Sequence, residues 1–260
     1  VHGRVLTLRT ITGRMAHYSP NMAQIPAVRS PFGYECRDCW TVSNPYTHSL
    51  IGTDASGLEL RILASMMNDK AYTNEVLNGD VHTANMKMAG LTDRDQAKTF
   101  IYAFIYGAGS KKIGNIIGGS EADGNRVKEK FLRATPSLRS LREKVDGVAK
   151  SNRRWLKGLD GRKILIRHPH AALNSLLQGA GSCVMKVAST LLDQYVINKQ
   201  IKAYPVVNVH DEFQYEVEES KTKEFGELAV QSIIQAGKDL KIRCPLDGEY
   251  KIGNNWAETH

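Results

Sequence analysis

The sequence predicts an α+β fold: a largely antiparallel sheet backed by helices, interrupted by a mostly helical insertion that makes a second lobe. Three observations lead there. A short apolar run ending in an acid, "LIGTD" at 50–54, is followed at once by a helical pattern. Helical periodicity then dominates from 70 to 150. Near the C-terminus, "YPVVNVHDEFQYEVEES" alternates apolar and polar residues around a polar tip, as two antiparallel strands do.

Taken in order, residues 1–50 are rich in Pro, Gly, Asn, Ser and Arg and read as irregular loop with short strands. "LIGTD" reads as a buried strand, and "SGLELRILASMMND" repeats Leu58, Ile62 and Met66 at helical spacing. The block that follows is mostly helix, punctuated by "NGD", "GAGSKKIGNIIGGS" and "ATPS" as breakers. "GRKILIRHP" is a short strand or hairpin arm, and "AALNSLLQGAGSCVMKVASTLLDQYVINKQ" is one long helix despite two glycines. In the alternating segment Val207, Val209, Phe213, Tyr215 and Val217 share one parity, which predicts two half-buried strands folded at "HDE". A helix at "SKTKEFGELAVQSIIQAGKDL" and a strand around 246–252 follow.

Composition narrows the class. Hydrophobic residues are 42% and charged residues 24% of 260, so the chain can bury a core and disorder is not expected. Thirty-five Lys and Arg against 27 Asp and Glu leave +8, a basic excess that favours an anionic partner. Four scattered cysteines are too few for a disulfide framework, which points to a reducing compartment. Cys36 and Cys39 form one CxxC, but a zinc ribbon would need a second ligand pair at matching spacing. No apolar stretch is long enough to span a membrane and no leader pattern opens the chain, so the expectation is an intracellular, cytoplasmic protein with no membrane partner.

The first chemical candidate is a stripe. In "DRDQAKTFIYAFIYG" (93–107), Arg94, Lys98, Tyr102 and Tyr106 recur every four residues and so share an arc of about 120° on one helix face. Ala97, Phe100, Ile101 and Phe104 take the opposite flank. A solvated face with snorkelling cations and rim tyrosines would look the same. The order of the residues strains that reading, because cations precede aromatics over about 18 Å of axis, a length suited to a triphosphate followed by sugar and base. Arg offers a fork for a terminal phosphate, Lys a point charge, and Tyr a flat surface with a hydroxyl.

The second candidate is a pair of acids. Asp54 ends the strand "LIGTD", while Asp211 and Glu212 sit at the tip of the hairpin. Either alone reads as a turn or cap residue. On adjacent strand ends of one sheet they would repel unless a divalent cation lay between them, and hard oxygen ligands suit Mg²⁺. Two such ions can activate a 3′-hydroxyl and stabilise a leaving pyrophosphate.

"DASGLELR" (54–61), "RDQAKTFIYAFIYG" (94–107) and "VHDE" (209–212), in that order, resemble motifs A, B and C of the family A, Pol I-type DNA polymerases. "TGR" (12–14) with "PNMAQIP" (20–26) resembles that family's upstream primer–template segment, and the similarity runs from about residue 3 onward, nearest the replicative enzymes of phages. The resemblance implies a palm over 1–67 and 173–260 with fingers over 68–172. It implies a template-directed DNA polymerase that adds deoxynucleotides to a primer 3′-hydroxyl with two Mg²⁺ ions. Primer–template DNA and dNTPs would be its partners.

Residue by residue, the resemblance makes Asp54 and Asp211 the metal-binding carboxylates, with the Ala55 carbonyl a further ligand and Glu212 close by and less essential. Lys98 would contact the reacting phosphate and protonate pyrophosphate, Arg94 the distal phosphates, and His82 of "GDVH" another phosphate oxygen. His82 on its own reads equally as a helix-start cap. Glu59 would close the space under the sugar 2′ position and contact the motif B tyrosine, favouring deoxynucleotides. The Tyr102 hydroxyl would substitute for a missing 3′-hydroxyl and so admit dideoxynucleotides. Arg14, Gln178 and His210 match positions that touch the minor groove, where acceptors common to all correct pairs report geometry rather than sequence. Tyr106 would stack near the template base.

Family members of this type place a thumb, and usually a 3′–5′ exonuclease, ahead of "TGR", whereas 11 residues precede it here. Both domains are expected to be absent. That shortfall and the opening Val1 suggest a C-terminal fragment, or half of a split polymerase whose partner supplies them. A non-catalytic nucleic-acid-binding or assembly module that kept the palm scaffold is the alternative, since fold alone never proves activity.

Overall fold

The computed structural model describes residues 2–260; Val1 lies outside the described residues. In chain order the elements are β1 (Arg4–Leu6), β2 (Ala16–Tyr18), α1 (Gly33–Asp38), β3 (His48–Ala55), α2 (Leu58–Met67), α3 (Lys70–Asn78), α4 (Val81–Ala89) and α5 (Arg94–Ile105). There follow α6 (Ser110–Ile116), α7 (Glu121–Ala134), α8 (Pro136–Lys150), β4 (Trp155–Lys157), β5 (Lys163–Leu165), α9 (Ala172–Lys199), β6 (Ala203–Val209), β7 (Glu212–Glu218), α10 (Thr222–Asp239) and β8 (Gly248–Gly253). The chain divides into two compact units, one of residues 1–58 with 180–260 and one of 59–179.

The first unit is built on a four-stranded sheet, β6-β7-β3-β8, antiparallel throughout. One face carries Ile51, Phe213, Tyr215 and Val217, all under a tenth exposed, and is backed by α10, whose Phe225, Ala229 and Ile233 are fully buried. Phe225 meets Tyr215 with the rings tilted at 45° and their centroids 5.0 Å apart. Gly226 lets α10 lie flat against the sheet, because a Cβ there would sit 2.3 Å from the Tyr250 ring of β8. On the other face Leu50 joins Met22, Val42 and Trp256 in a second small core, flanked by Val207 and Val209.

That second core corrects the expected parity. Val209 pairs with Glu212 and Val207 with Gln214, so these valines lie on the opposite face from Phe213, Tyr215 and Val217. Antiparallel partners across a two-residue turn sum to a constant, here an odd one, so parity switches at the turn. A bulge between Pro205 and Val207 switches it back, which puts Pro205 opposite Tyr215. β7 is also not half-buried: Glu212 is 4% and Gln214 1% exposed, because the segment 254–260 covers their face.

The second unit holds α3 to α8 and the β4–β5 hairpin, as the helical periodicity predicts. Caps set its boundaries. Asp69, Asp80 and Asp93 accept from backbone amides at the starts of α3, α4 and α5, Ser120 and Asp123 form a capping box on α7, and Pro136 opens α8. The predicted apolar flank of α5 is its core: Ala97, Phe100, Ile101 and Phe104 are at most 3% exposed. Phe131 of α7 meets Phe100 and Phe104 edge-on at 5.3 and 5.5 Å. The sequence reading passed over α1, a six-residue helix that carries Cys36 of the CxxC, and took as a breaker the glycine-rich stretch that holds α6, where Gly114 allows close approach to the Ser120 carbonyl. Both cysteines are free, and among the described residues no group of three or more His, Cys, Asp or Glu could hold a metal ion.

Candidate active site

β3 runs as the second strand in from one sheet edge and ends beside the β6–β7 turn. Asp54 pairs across the ladder with Glu212, and the amide of Ala55 donates to the carbonyl of Asp211 at 3.0 Å. The three acids are thus gathered where β3 ends beside the β6–β7 turn. The turn that presents Asp211 is two residues long, and His210, its first, sits at φ 58°, the left-handed region that non-glycine residues seldom adopt.

The electrostatics differ from acid to acid. Burial pushes the Asp54 carboxyl up to about 7, and the neighbouring charges of Asp211 and Glu212 push the same way. Burial also raises Asp211, against its own backbone amide and the charges of Arg14 and His210. Glu212 goes the other way. Burial pushes it up, but the His260 ring, Gln214 and Trp256 outweigh that and hold it below the usual carboxylate range.

Those partners occupy both Glu212 oxygens. Trp256 Nε1 and Gln214 Nε2 each donate to Oε1 at 2.6 Å, and His260 Nδ1 lies 3.0 Å from Oε2. Gly52 lets the tail pass over the sheet, since a Cβ there would fall 2.1 Å from the Thr259 carbonyl oxygen. The sequence reading put Glu212 beside the metal-binding pair. The structure turns its carboxylate into a buried network with Trp256, Gln214 and His260, which no local pattern signals.

Arg14 and His210 come together in the same unit, lining a small cleft with Ser182, Lys186 and Asn208. Burial, and then Arg14, lower the His210 pKa. Gln178, on α9, belongs to the other unit, where it is half-buried.

In the second unit the stripe on α5 takes its expected shape. Arg94 and Lys98 are exposed, and Tyr102 and Tyr106 follow with ring centroids 6.4 Å apart. His82, from the first turn of α4, tilts against Tyr102 at 6.3 Å. Its pKa is lowered by burial, then by the charges of Arg94 and Lys98, and its Nδ1 is buried without a hydrogen-bond partner. So His82 joins the stripe rather than merely capping a helix. Tyr106 donates its hydroxyl to Glu59 at 2.9 Å.

The residue the sequence reading missed is Asp80. Its carboxylate accepts from Arg94 Nε at 2.6 Å and Nη2 at 3.1 Å while also capping α4 through His82 and Thr83. The same contacts hold Asp80 well below the usual carboxylate range and raise Arg94. The Arg94 fork, free in the sequence reading, is already gripped. An acid just ahead of the helix that bears the histidine was the available signal.

The family model of DNA polymerase family A matches residues 1–258. The chain belongs to DNA polymerase family A. Within that family it is 41% identical to the DNA-directed DNA polymerases of Enterobacteria phage T3 and Escherichia phage T7, over its whole length and 41% of theirs. It is 25% identical to DNA polymerase I of Lactococcus lactis subsp. cremoris, again over its whole length and 31% of that protein's. The chain therefore spans about two fifths of the length of the phage relatives. A solved structure described as the POL domain of Pol1 from M. smegmatis in complex with DNA primer-template and dNTP covers the whole chain and 48% of its own, with TM-score 0.89 and 22% identity. That likeness establishes the family A polymerase-domain fold for this chain, in keeping with the α+β reading.

Proposed function

We propose that this family A chain is the palm and fingers portion of a DNA-directed DNA polymerase, extending a primer 3′-hydroxyl with deoxynucleotides. The palm is assigned to 1–67 and 173–260 and the fingers to 68–172, a division of the kind the two compact units support. The observation that carries the reading is that Asp54, at the end of β3, lies beside the turn that bears Asp211, whose carbonyl accepts the Ala55 amide, with both carboxyls raised by burial. Two half-buried like charges so placed favour a shared divalent cation.

Asp54, Asp211 and the Ala55 carbonyl would hold two Mg²⁺ ions. Bound there, the ions supply a lowered pKa for the attacking hydroxyl and neutralise charge on the departing pyrophosphate. The chain's own groups do the rest. The primer hydroxyl gives its proton to solvent, its oxygen forms a bond to the α-phosphorus as the bond to the bridging oxygen breaks, and Lys98 gives its proton to the departing pyrophosphate. Arg94 and His82 bind the outer phosphate oxygens, Tyr102 lies against the sugar and base, and Glu59 closes the 2′ position. Arg14, Gln178 and His210 contact the minor groove, and Tyr106 sits by the template base. Glu212 serves as a positioning residue that ties the Asp211 turn to the tail.

Primer–template DNA and dNTPs are the partners this reading requires, and a part carrying the thumb and 3′–5′ exonuclease would supply grip and proofreading. No described helix is long and apolar enough to cross a membrane. A polymerase of this kind would work where DNA is, inside a cell, and inside the host cell if the chain is phage-encoded. One observation favours the rival scaffold reading: the Asp80 grip on Arg94 occupies a phosphate-binding group. The test is primer extension with Mg²⁺ and the four dNTPs, comparing the chain with its Asp211→Ala variant, with and without an N-terminal partner. Extension lost in Asp211→Ala is expected; extension that survives it would overturn the assignment.

A further inference from the structure

The β4–β5 hairpin of the second unit has no part in the chemistry above, yet the segment around it carries a concentrated net positive charge. Residues 150–167 hold seven cations, Lys150, Arg153, Arg154, Lys157, Arg162, Lys163 and Arg167, against one acid, Asp160. That acid is engaged within the hairpin, its carboxylate 2.6 Å from Arg162 Nε. Among the described residues Arg153, Arg154, Lys157, Lys163 and Arg167 make no ion pair.

The hairpin has two unlike faces. Leu156 and Ile164 pair across it and are buried at 7% and 0% exposure, which fixes the register. On the outer face Lys157 stands directly opposite Lys163, and Trp155 opposite Leu165. Directly opposed like charges destabilise a strand pair. A fold that keeps such a pair uncompensated has reason to do so if an anion supplies the missing charge. Beside the lysines, Arg153 lies 3.6 Å and Lys163 5.0 Å from the centre of the Trp155 ring, so the aromatic side chain holds two of the cations in place. Leu165 is 56% exposed.

We propose that the outer face of this hairpin is a binding site for single-stranded nucleic acid. Its cations would contact backbone phosphates, while Leu165 and the Trp155 ring, with the Arg153 guanidinium layered on it, would offer a surface to unpaired bases. Cations interleaved with an aromatic and an apolar side chain are what a single strand offers partners for. A duplex hides its base faces and would leave Leu165 unused. An acidic peptide would satisfy the cations without using the flat Trp155 and Leu165 surface. Naming the strand as unpaired template rests on the polymerase reading; the binding itself does not.

The test is fluorescence anisotropy of a labelled oligothymidylate of about 20 nucleotides, with a blunt duplex of the same length beside it and neither Mg²⁺ nor dNTP present. The full chain is compared with Lys157→Ala/Lys163→Ala and with Lys223→Ala/Lys238→Ala, which removes the same charge from α10. The hairpin variant is expected to bind the single strand about tenfold more weakly and to lose roughly 1.4 from the slope of log affinity against log salt, since each single-strand phosphate contact contributes ~0.7. The duplex and the α10 variant are expected to bind as the parent does. Removing one lysine repulsion leaves the hairpin register intact, so the hairpin variant is also expected to melt no lower than the parent.

Equal weakening by both double variants would overturn the proposal in favour of bulk charge, and equal loss on duplex would assign the face to double-stranded DNA. Unchanged single-strand binding would overturn it too. If a polyglutamate peptide then bound the parent and not the hairpin variant, the face would belong to an acidic protein partner. Because no extension is measured, a failed polymerase reading leaves these outcomes readable.

Discussion

Asp80 grips Arg94 through two parallel bonds, from Nε at 2.6 Å and from Nη2 at 3.1 Å, and with the same carboxylate starts the helix that carries His82. One acid thereby fixes two groups assigned to the triphosphate. It also competes with that triphosphate for the same guanidinium.

The competition can be measured. Asp80→Asn keeps an acceptor for the α4 amides but removes the charge, so the Arg94 fork is released without uncapping the helix. The KM for dNTP is expected to fall severalfold with kcat little changed. A KM that rises would show instead that Asp80 holds Arg94 ready for phosphate.

The raised acids predict a pH dependence of stability with a definite sign. The folded Asp54 carboxyl sits at about 7 against an ordinary value of 3.8, so the folded state holds this proton more tightly than the unfolded chain. Its favourable contribution is complete below the unfolded value and is lost as pH rises from there through about 7. Asp211 is raised in the same direction. Without divalent cations the chain is expected to melt roughly 5 °C lower at about pH 8.5 than at about pH 5.5. Asp54→Asn should remove much of that difference, and Mg²⁺ should restore stability at the higher pH. A melting temperature flat across this window in the metal-free chain would contradict the raised values.

The tail network gives a stability prediction. Trp256→Phe keeps most of the apolar packing with Met22, Val42 and Leu50 but deletes the indole N–H that reaches Glu212. A buried charged acceptor that loses a donor costs about 1–3 kcal/mol. Chemical denaturation should show that loss, and extension rates should drop as the Asp211 turn loosens. If stability were unchanged, the network would be decorative.

Tyr102 supplies a specificity prediction. Its ring lies 6.3 Å from that of His82, on the helix face that carries Lys98, where the family resemblance places the nucleotide sugar. Tyr102→Phe is expected to lower incorporation of dideoxynucleotides relative to deoxynucleotides by at least tenfold. An unchanged ratio in competitive extension would remove this role.

Local chemistry made much of this legible. The short apolar run before Asp54 has to be a buried strand, the alternation around His210 and Asp211 has to be a hairpin, and the four-residue stripe on α5 follows from helical pitch, with its apolar flank buried as the spacing requires. Three ordered motifs spread over residues 54–212 were enough to indicate the family.

Sequence alone did not reach the pairings that depend on distant segments. Asp80 binds Arg94 across 14 residues because two helix starts converge, which no local pattern encodes. Parity through the hairpin fails because pairing, not numbering, decides which side chains share a face, and the bulge at Pro205 to Val207 shifts it again. Glu212 looked like a third acid at the site until Trp256 and His260 closed over it from about 45 residues downstream. Periodicity records which residues seek burial or solvent, so it determined the elements and the chemical inventory. Only tertiary packing decides which buried charge meets which donor, and with it how the acids of this chain divide their roles.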